Sequence, residues 1–307
     1  MTAIIRTLFL LPFSVAIAAN AQESKETHWT YSIGAMYEIE NVEGQAEDED
    51  GLSEPSVYFN AMYGPWTINL AMYQEGAVNY SAMSRSTYFN RPEINIRYQL
   101  VDNDRYTFGL TGGVRNMGYH FENEDGSPAG TANTQRYKIQ PDWNVHVTPQ
   151  LALEGWFAMY RFTNDLRQTG YSDSRAETEN GITYQFNDTV SLQVHYYLER
   201  GYNTSNGRKH GEFSTNEARI YLPVTLGNNT LTPYTRLTID RWSNWDYQED
   251  GADAEDEDYN RLGLLFAHDF TNGLSMTLEY AYEWETHKEY GTHDIFHYAG
   301  IGINYAF

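Results

Sequence analysis

The chain has no cysteine, which excludes a disulfide framework, a thiolate metal site and a thiol nucleophile. Beyond its first 21 residues it also has no run near the roughly 18 apolar residues that a membrane-crossing helix needs, so a helical membrane protein is excluded. Basic residues are few: 20 Lys and Arg stand against 42 Asp and Glu, a formal net charge of −22, and nucleic acid is excluded as a partner on that balance. What the chain does have is tyrosine, 26 residues, within a hydrophilic average hydropathy of −0.63. An average that is hydrophilic yet rich in aromatics fits a wall whose lipid-facing and water-facing residues alternate and cancel.

The amino-terminal segment reads as a removable export signal. Arg6 supplies the basic start, residues 8–18 an apolar stretch, and Ala19, Asn20 and Ala21 a small-x-small cleavage site before Gln22. Residues 1–21 are therefore expected to be lost, leaving 22–307 as one domain. Removing Arg6 lowers the net charge by one, to −23.

Alternation with period two carries the fold assignment. Arg91, Glu93, Asn95, Arg97 and Gln99 alternate with Pro92, Ile94, Ile96, Tyr98 and Leu100. Val190, Leu192, Val194, Tyr196 and Leu198 alternate with Ser191, Gln193, His195, Tyr197 and Glu199, and the pattern returns from Leu274 to His287. Short turns near residues 64–65, 102–104, 148–150, 187–189, 226–229 and 271–273 alternate with longer polar loops. Six short turns and seven long loops give an all-β, fourteen-stranded antiparallel transmembrane barrel with its termini in the periplasm. The last strand places Ile301, Ile303, Tyr305 and Phe307 on the lipid side, and Trp29, Trp66, Trp143 and Trp284 fall where interfacial girdles belong.

The same parity predicts an inward, pore-lining set of mixed sign. Its cations are Arg91, Arg97, Arg115, Arg136, Lys138, Arg175, Arg219, Arg236 and Arg261; its anions are Glu38, Glu40, Glu54, Glu75, Glu177, Glu179, Glu199, Asp240 and Glu279. A dry interior would require every one of these charges to be paired, whereas a water-filled lumen does not. Mixed charge implies weak ion selectivity, and Tyr73 and Tyr197 are expected to offer rings to sugars.

Several long segments resemble the OmpG porin family, outer-membrane protein G: IGAMYEIENVEG (33–44), EPSVYFN (54–60), RPE (91–93), FGLTGG (108–113), YYLERG (196–201), GEFST (211–215), DRWSNWD (240–246) and HYAG (297–300). The resemblance implies a monomeric porin of the bacterial outer membrane. It implies passage of ions and mono- and oligosaccharides with little discrimination, contact with outer-membrane lipid and lipopolysaccharide, and no cofactor, metal or catalytic residue. It also implies a pore that closes in acid when its sixth extracellular loop folds inward, a change attributed in the family to facing histidines on the twelfth and thirteenth strands. His287 matches the thirteenth-strand histidine. Glu257 stands where the other is expected, or Asp256 if the register slips by one, so acid brings attraction where the family has repulsion. Any closure would then come from the acidic loop itself, which holds Asp246, Glu249, Asp250, Asp253, Glu255, Asp256, Glu257 and Asp258. A sugar-acid-selective channel is the nearest alternative. An outer-membrane enzyme, with His120, His210, His287 or His293 at the rim, is a further one, and so is a calcium site in the acidic loop, which lacks the ordered spacing of a calcium-binding hand.

Overall fold

The computed structural model describes residues 28–42, 52–77, 88–122, 127–164, 174–205, 208–245, 255–288 and 291–307; the expected signal at 1–21 lies outside them. The strands are β1 (Thr30–Val42), β2 (Leu52–Tyr63), β3 (Trp66–Ala77), β4 (Tyr88–Asp102), β5 (Tyr106–Glu122), β6 (Pro128–His146) and β7 (Leu151–Asn164). They continue as β8 (Ser174–Gln185), β9 (Ser191–Ser205), β10 (Arg208–Tyr221, resuming as Val224–Leu226), β11 (Asn229–Trp245), β12 (Glu255–Asp269), β13 (Leu274–His287) and β14 (Thr292–Ala306). The two parts of β10 both pair with β11 and form one wall strand. Pro223 lies in the gap between them, and a proline has no N–H to place in a ladder.

Each strand pairs antiparallel with its neighbour in sequence, and β14 pairs with β1 to close the sheet. Closure extends to the last residue: Tyr31 N–H donates to the Phe307 carbonyl at 3.0 Å, and Phe307 N–H donates to the Tyr31 carbonyl at 2.9 Å. In hydrocarbon no water satisfies a free amide, so a closed ladder is the condition for a strand protein to cross a membrane. The turns are equally economical. Gly64, at φ 53°, makes the two-residue reversal between Tyr63 and Trp66, a left-handed conformation in which a side chain would be strained.

The usual partition of residues is inverted. Glu38 is 3% exposed and Arg219 is 2% exposed, while Ile33 is 53% and Ile303 is 50% exposed. Apolar side chains cover the outside and charged ones line the inside, as the alternating pattern requires of a wall between lipid and water. At the turn end the outer face carries exposed Trp29, Tyr63, Trp66, Tyr98, Tyr106 and Tyr184, with Trp29 stacked on Tyr63 at 5.1 Å. At the loop end Tyr137, Tyr202 and Tyr282 take the corresponding places. Amphipathic rings at both boundaries fix the depth of the barrel.

Placing a charge on the outer face should be costly where the same charge inside is not. Ile96→Arg is expected to destabilise the refolded barrel by roughly 2–4 kcal/mol and Ile96→Leu by less than about 1.5 kcal/mol, measured by urea titration in lipid vesicles.

The candidate channel wall and its extracellular mouth

Seventeen of the eighteen residues assigned inward by parity face the interior, and they do so as networks. Arg91 contacts Glu54 and lies 3.0 Å from Glu75; Glu93 receives Arg115, Arg136 at 3.1 Å and Lys138 at 3.8 Å. Arg97 pairs with Asp142 at 2.6 Å, Arg175 with Glu199 at 2.8 Å, and Arg219 with Glu179 at 2.7 Å and Glu217 at 2.8 Å. Arg261 contacts Glu283. Glu38 and Glu279 are instead bonded by the hydroxyls of Tyr298 and Tyr234, Glu177 accepts from Tyr160 at 2.8 Å, and Glu40 and Arg236 are buried at the same wall.

The arginines also lie against rings. Arg219 sits 3.5 Å over Tyr197, Arg136 4.7 Å over Tyr160, and Arg261 4.7 Å over Tyr298, so each guanidinium is held flat by stacking as well as by charge. Inward glycines make room for this. A Cβ at Gly109 would collide with the Arg97 guanidinium, one at Gly34 with the Tyr58 ring, and one at Gly263 with the Tyr234 ring. Long side chains thus lie along the wall instead of across the lumen.

Two assignments along the lumen wall need correction. Asp240 is exposed on the outer face, not in the lumen. Glu217 pairs with Thr238 but Asn216 pairs with Asp240, so Ile239 is an additional residue that reverses the parity beyond it. The bulge sends Arg241 inward instead, to 3.3 Å from Glu285 and 3.5 Å from Glu257; alternation alone could not reveal it. Tyr197, expected to offer its ring to solutes, is 2% exposed beneath Arg219, with its hydroxyl on Glu177 at 2.9 Å and Glu199 at 3.2 Å. Among lumen residues outside the assigned set is His195, bonded through Nδ1 to Glu179 at 2.9 Å and through Nε2 to Glu154 at 3.2 Å.

At the loop end, Glu257 of β12 is the cross-strand partner of His287 of β13, which settles the register in favour of Glu257 over Asp256. His287 Nδ1 lies 3.1 Å from Glu257, and Nε2 lies 3.1 Å from Asp294 of β14. Asp256 and Asp258 are turned to the opposite face, where Lys288 meets them at 2.8 and 3.0 Å. Glu255, Asp256, Glu257 and Asp258, expected in the loop, belong to β12, because pairing with β11 and β13 extends that far. Asp246, Glu249, Asp250 and Asp253 lie outside the described residues.

His287 stands three residues beyond Trp284, above the lipid-facing band. Partial burial works against its charged form, but the hydrogen bond to Asp294 and the charges of Glu285 and Glu257 outweigh it, and its pKa is raised above the ordinary 6.5.

A closed antiparallel barrel, apolar outside and lined with paired charges around an axial interior, defines a transmembrane β-barrel of the channel-forming kind. The chain belongs to the family described as Outer membrane protein G (OmpG), which it matches over residues 26–305. It is 59% identical to Outer membrane porin G of Escherichia coli (strain K12) over 289 residues, covering 94% of this chain and 95% of that protein. It is accordingly an outer-membrane porin, not an enzyme. Solved barrels share the fold at 9% identity: the CymD monoaromatic hydrocarbon channel, with a TM-score of 0.55 over 91% of this chain and 88% of that one, and a FadL homologue of Pseudomonas aeruginosa, at 0.51 over 91% and 90%.

Two outcomes follow from the wall geometry. Gly263→Val is expected to push Tyr234 off the wall and lower single-channel conductance, without changing the heat-resistant migration of the folded barrel. In a salt gradient, Arg241→Gln should shift the reversal potential toward cation preference, whereas Asp240→Asn, on the outer face, should leave it unchanged.

Proposed function

We propose that the chain is a monomeric porin that passes ions and mono- and oligosaccharides with little discrimination, and that its loop between β11 and β12 gates the mouth with an altered response to acid. The inward charges of both signs support weak selectivity, since a lumen built for one anionic solute would carry mainly one sign. A row of inward amides supports passage of hydroxylated solutes: Asn69 donates to Asn60 at 2.8 Å, and Asn60 donates to Ser32 at 3.1 Å. Extended across β1–β4, such a row gives sugar hydroxyls repeated partners without a pocket to hold them.

The observation that carries the gating proposal is the contact of His287 with Glu257 on one side and Asp294 on the other. Among the described residues, Glu285 from its own strand and Arg241 from β11 are the other charged groups of this cluster. Protonating an imidazole between carboxylates adds an attraction across β12, β13 and β14. The raised pKa fixes the sign: the attraction is complete below the ordinary histidine value and is lost as pH rises through the raised one. Mild acid therefore strengthens the mouth. Closure waits until the acidic loop begins to be neutralised, in the ordinary carboxylate range of about 4 to 4.3.

Single-channel recording of the mature chain in planar bilayers tests this. Open probability should stay flat from neutral pH down to about 5 and fall near the carboxylate range, and Glu257→His should move closure upward by roughly one pH unit or more. A closing midpoint between about 6 and 7 in the unaltered chain would sink the gating reading; an absence of conductance would sink the porin reading.

A further inference from the structure

The strand arginines with described side chains follow one rule with two exceptions. Arg91, Arg97, Arg115, Arg136, Arg175, Arg219, Arg236, Arg241 and Arg261 all project into the lumen. Among strand arginines with described side chains, only Arg161 of β7 and Arg200 of β9 project outward, and both are exposed. A cation on the lipid face costs free energy that rises with its depth in the bilayer. Two outward arginines therefore need a position near the boundary and an anionic partner.

Their position is at the boundary. Leu192, Val194, Tyr196 and Leu198 run along the outer face of β9 before Arg200, and Leu153, Phe157 and Met159 precede Arg161 on β7. On β6 the outer face changes from Ile139 to Tyr137 at the same level, and Tyr137 is the cross-strand partner of Arg161. Tyr137 and Tyr202 are exposed rings on either side, where the outer leaflet meets its headgroups.

Arg161 and Arg200 flank β8. Arg161 pairs with Ser174 and Arg200 with Ala176. Two strand spacings with a two-residue stagger put their Cα atoms roughly 12 Å apart, within reach of one headgroup for two arginine side chains. Ser174 and Ala176, on the outer face between them, are small. Arg161 donates to Ser174 Oγ at 2.9 Å, and neither arginine is ion-paired with a described carboxylate. Among the described residues the nearest outward acid is Glu212, the cross-strand partner of Tyr202 and two residues along β10 from Ser214, the partner of Arg200.

We infer that Arg161 and Arg200, with Tyr137, Tyr202 and Ser174, form a docking site on the outer wall for the phosphate of a glycolipid in the outer leaflet. Guanidinium binds phosphate through paired, charge-assisted hydrogen bonds, and the flanking rings cover the sugar and upper acyl region. The site is separate from the lumen, so its occupancy does not depend on what the pore conducts.

Native mass spectrometry of the refolded mature chain, released from vesicles containing either bisphosphorylated lipid A or its phosphate-free form with the same acyl chains, tests the assignment. The phosphorylated lipid should remain bound, and the phosphate-free lipid should be retained about tenfold less, a difference of roughly 1.4 kcal/mol. Arg161→Gln/Arg200→Gln should abolish the difference, and Arg161→Lys/Arg200→Lys should keep part of it. Conductance of the double glutamine variant shows that it is folded, because neither residue lines the pore. Equal retention of the two lipids, an unaffected double variant, or displacement by millimolar inorganic phosphate alone would overturn the proposal.

Discussion

The constraint on which this structure depends is the need to satisfy every backbone amide without water. A sheet in hydrocarbon cannot keep an edge, so β1 must meet β14, down to the reciprocal bonds between Tyr31 and Phe307. Once the sheet is closed, side chains have only two destinations, and alternate residues must suit lipid and water in turn. The inverted partition follows from this, with isoleucine outside and glutamate and arginine inside.

Closure then creates a second demand, because charges projecting into a shared interior crowd one another. The wall answers by pairing them along its own surface. Guanidiniums lie on rings and between carboxylates from adjacent strands, as with Arg219 over Tyr197 and beside Glu179 and Glu217. Glycine opposite a long side chain lets that chain recline, as Gly109 does for Arg97. Ion pairing and stacking here hold side chains out of the solute path, which ties the energetics of the wall to its openness.

At the mouth the charges gather into one cluster around a histidine. Glu257 and Asp294 hold the His287 imidazole between them from the two neighbouring strands. Arg241 reaches the same cluster only because a bulge at Ile239 shifts the face of β11. One additional residue in β11 thereby sets which cation reaches the rim, while the barrel below keeps its alternation.

The sequence by itself determined the strand count, the direction of alternation and most of the inward charges, because a two-residue period in a sheet wetted on one side leaves each side chain a single compatible face. It could not place Asp240 and Arg241, since a bulge changes parity without changing composition. Nor could it show that Tyr197 is covered, since that depends on Arg219 arriving from the neighbouring strand. Between Asp256 and Glu257, only the pairing of β12 with β13 decided which carboxylate meets His287. Periodicity is local and is written in the chain; register, bulges and cross-strand stacking are relations between strands, and they exist only once the sheet has closed.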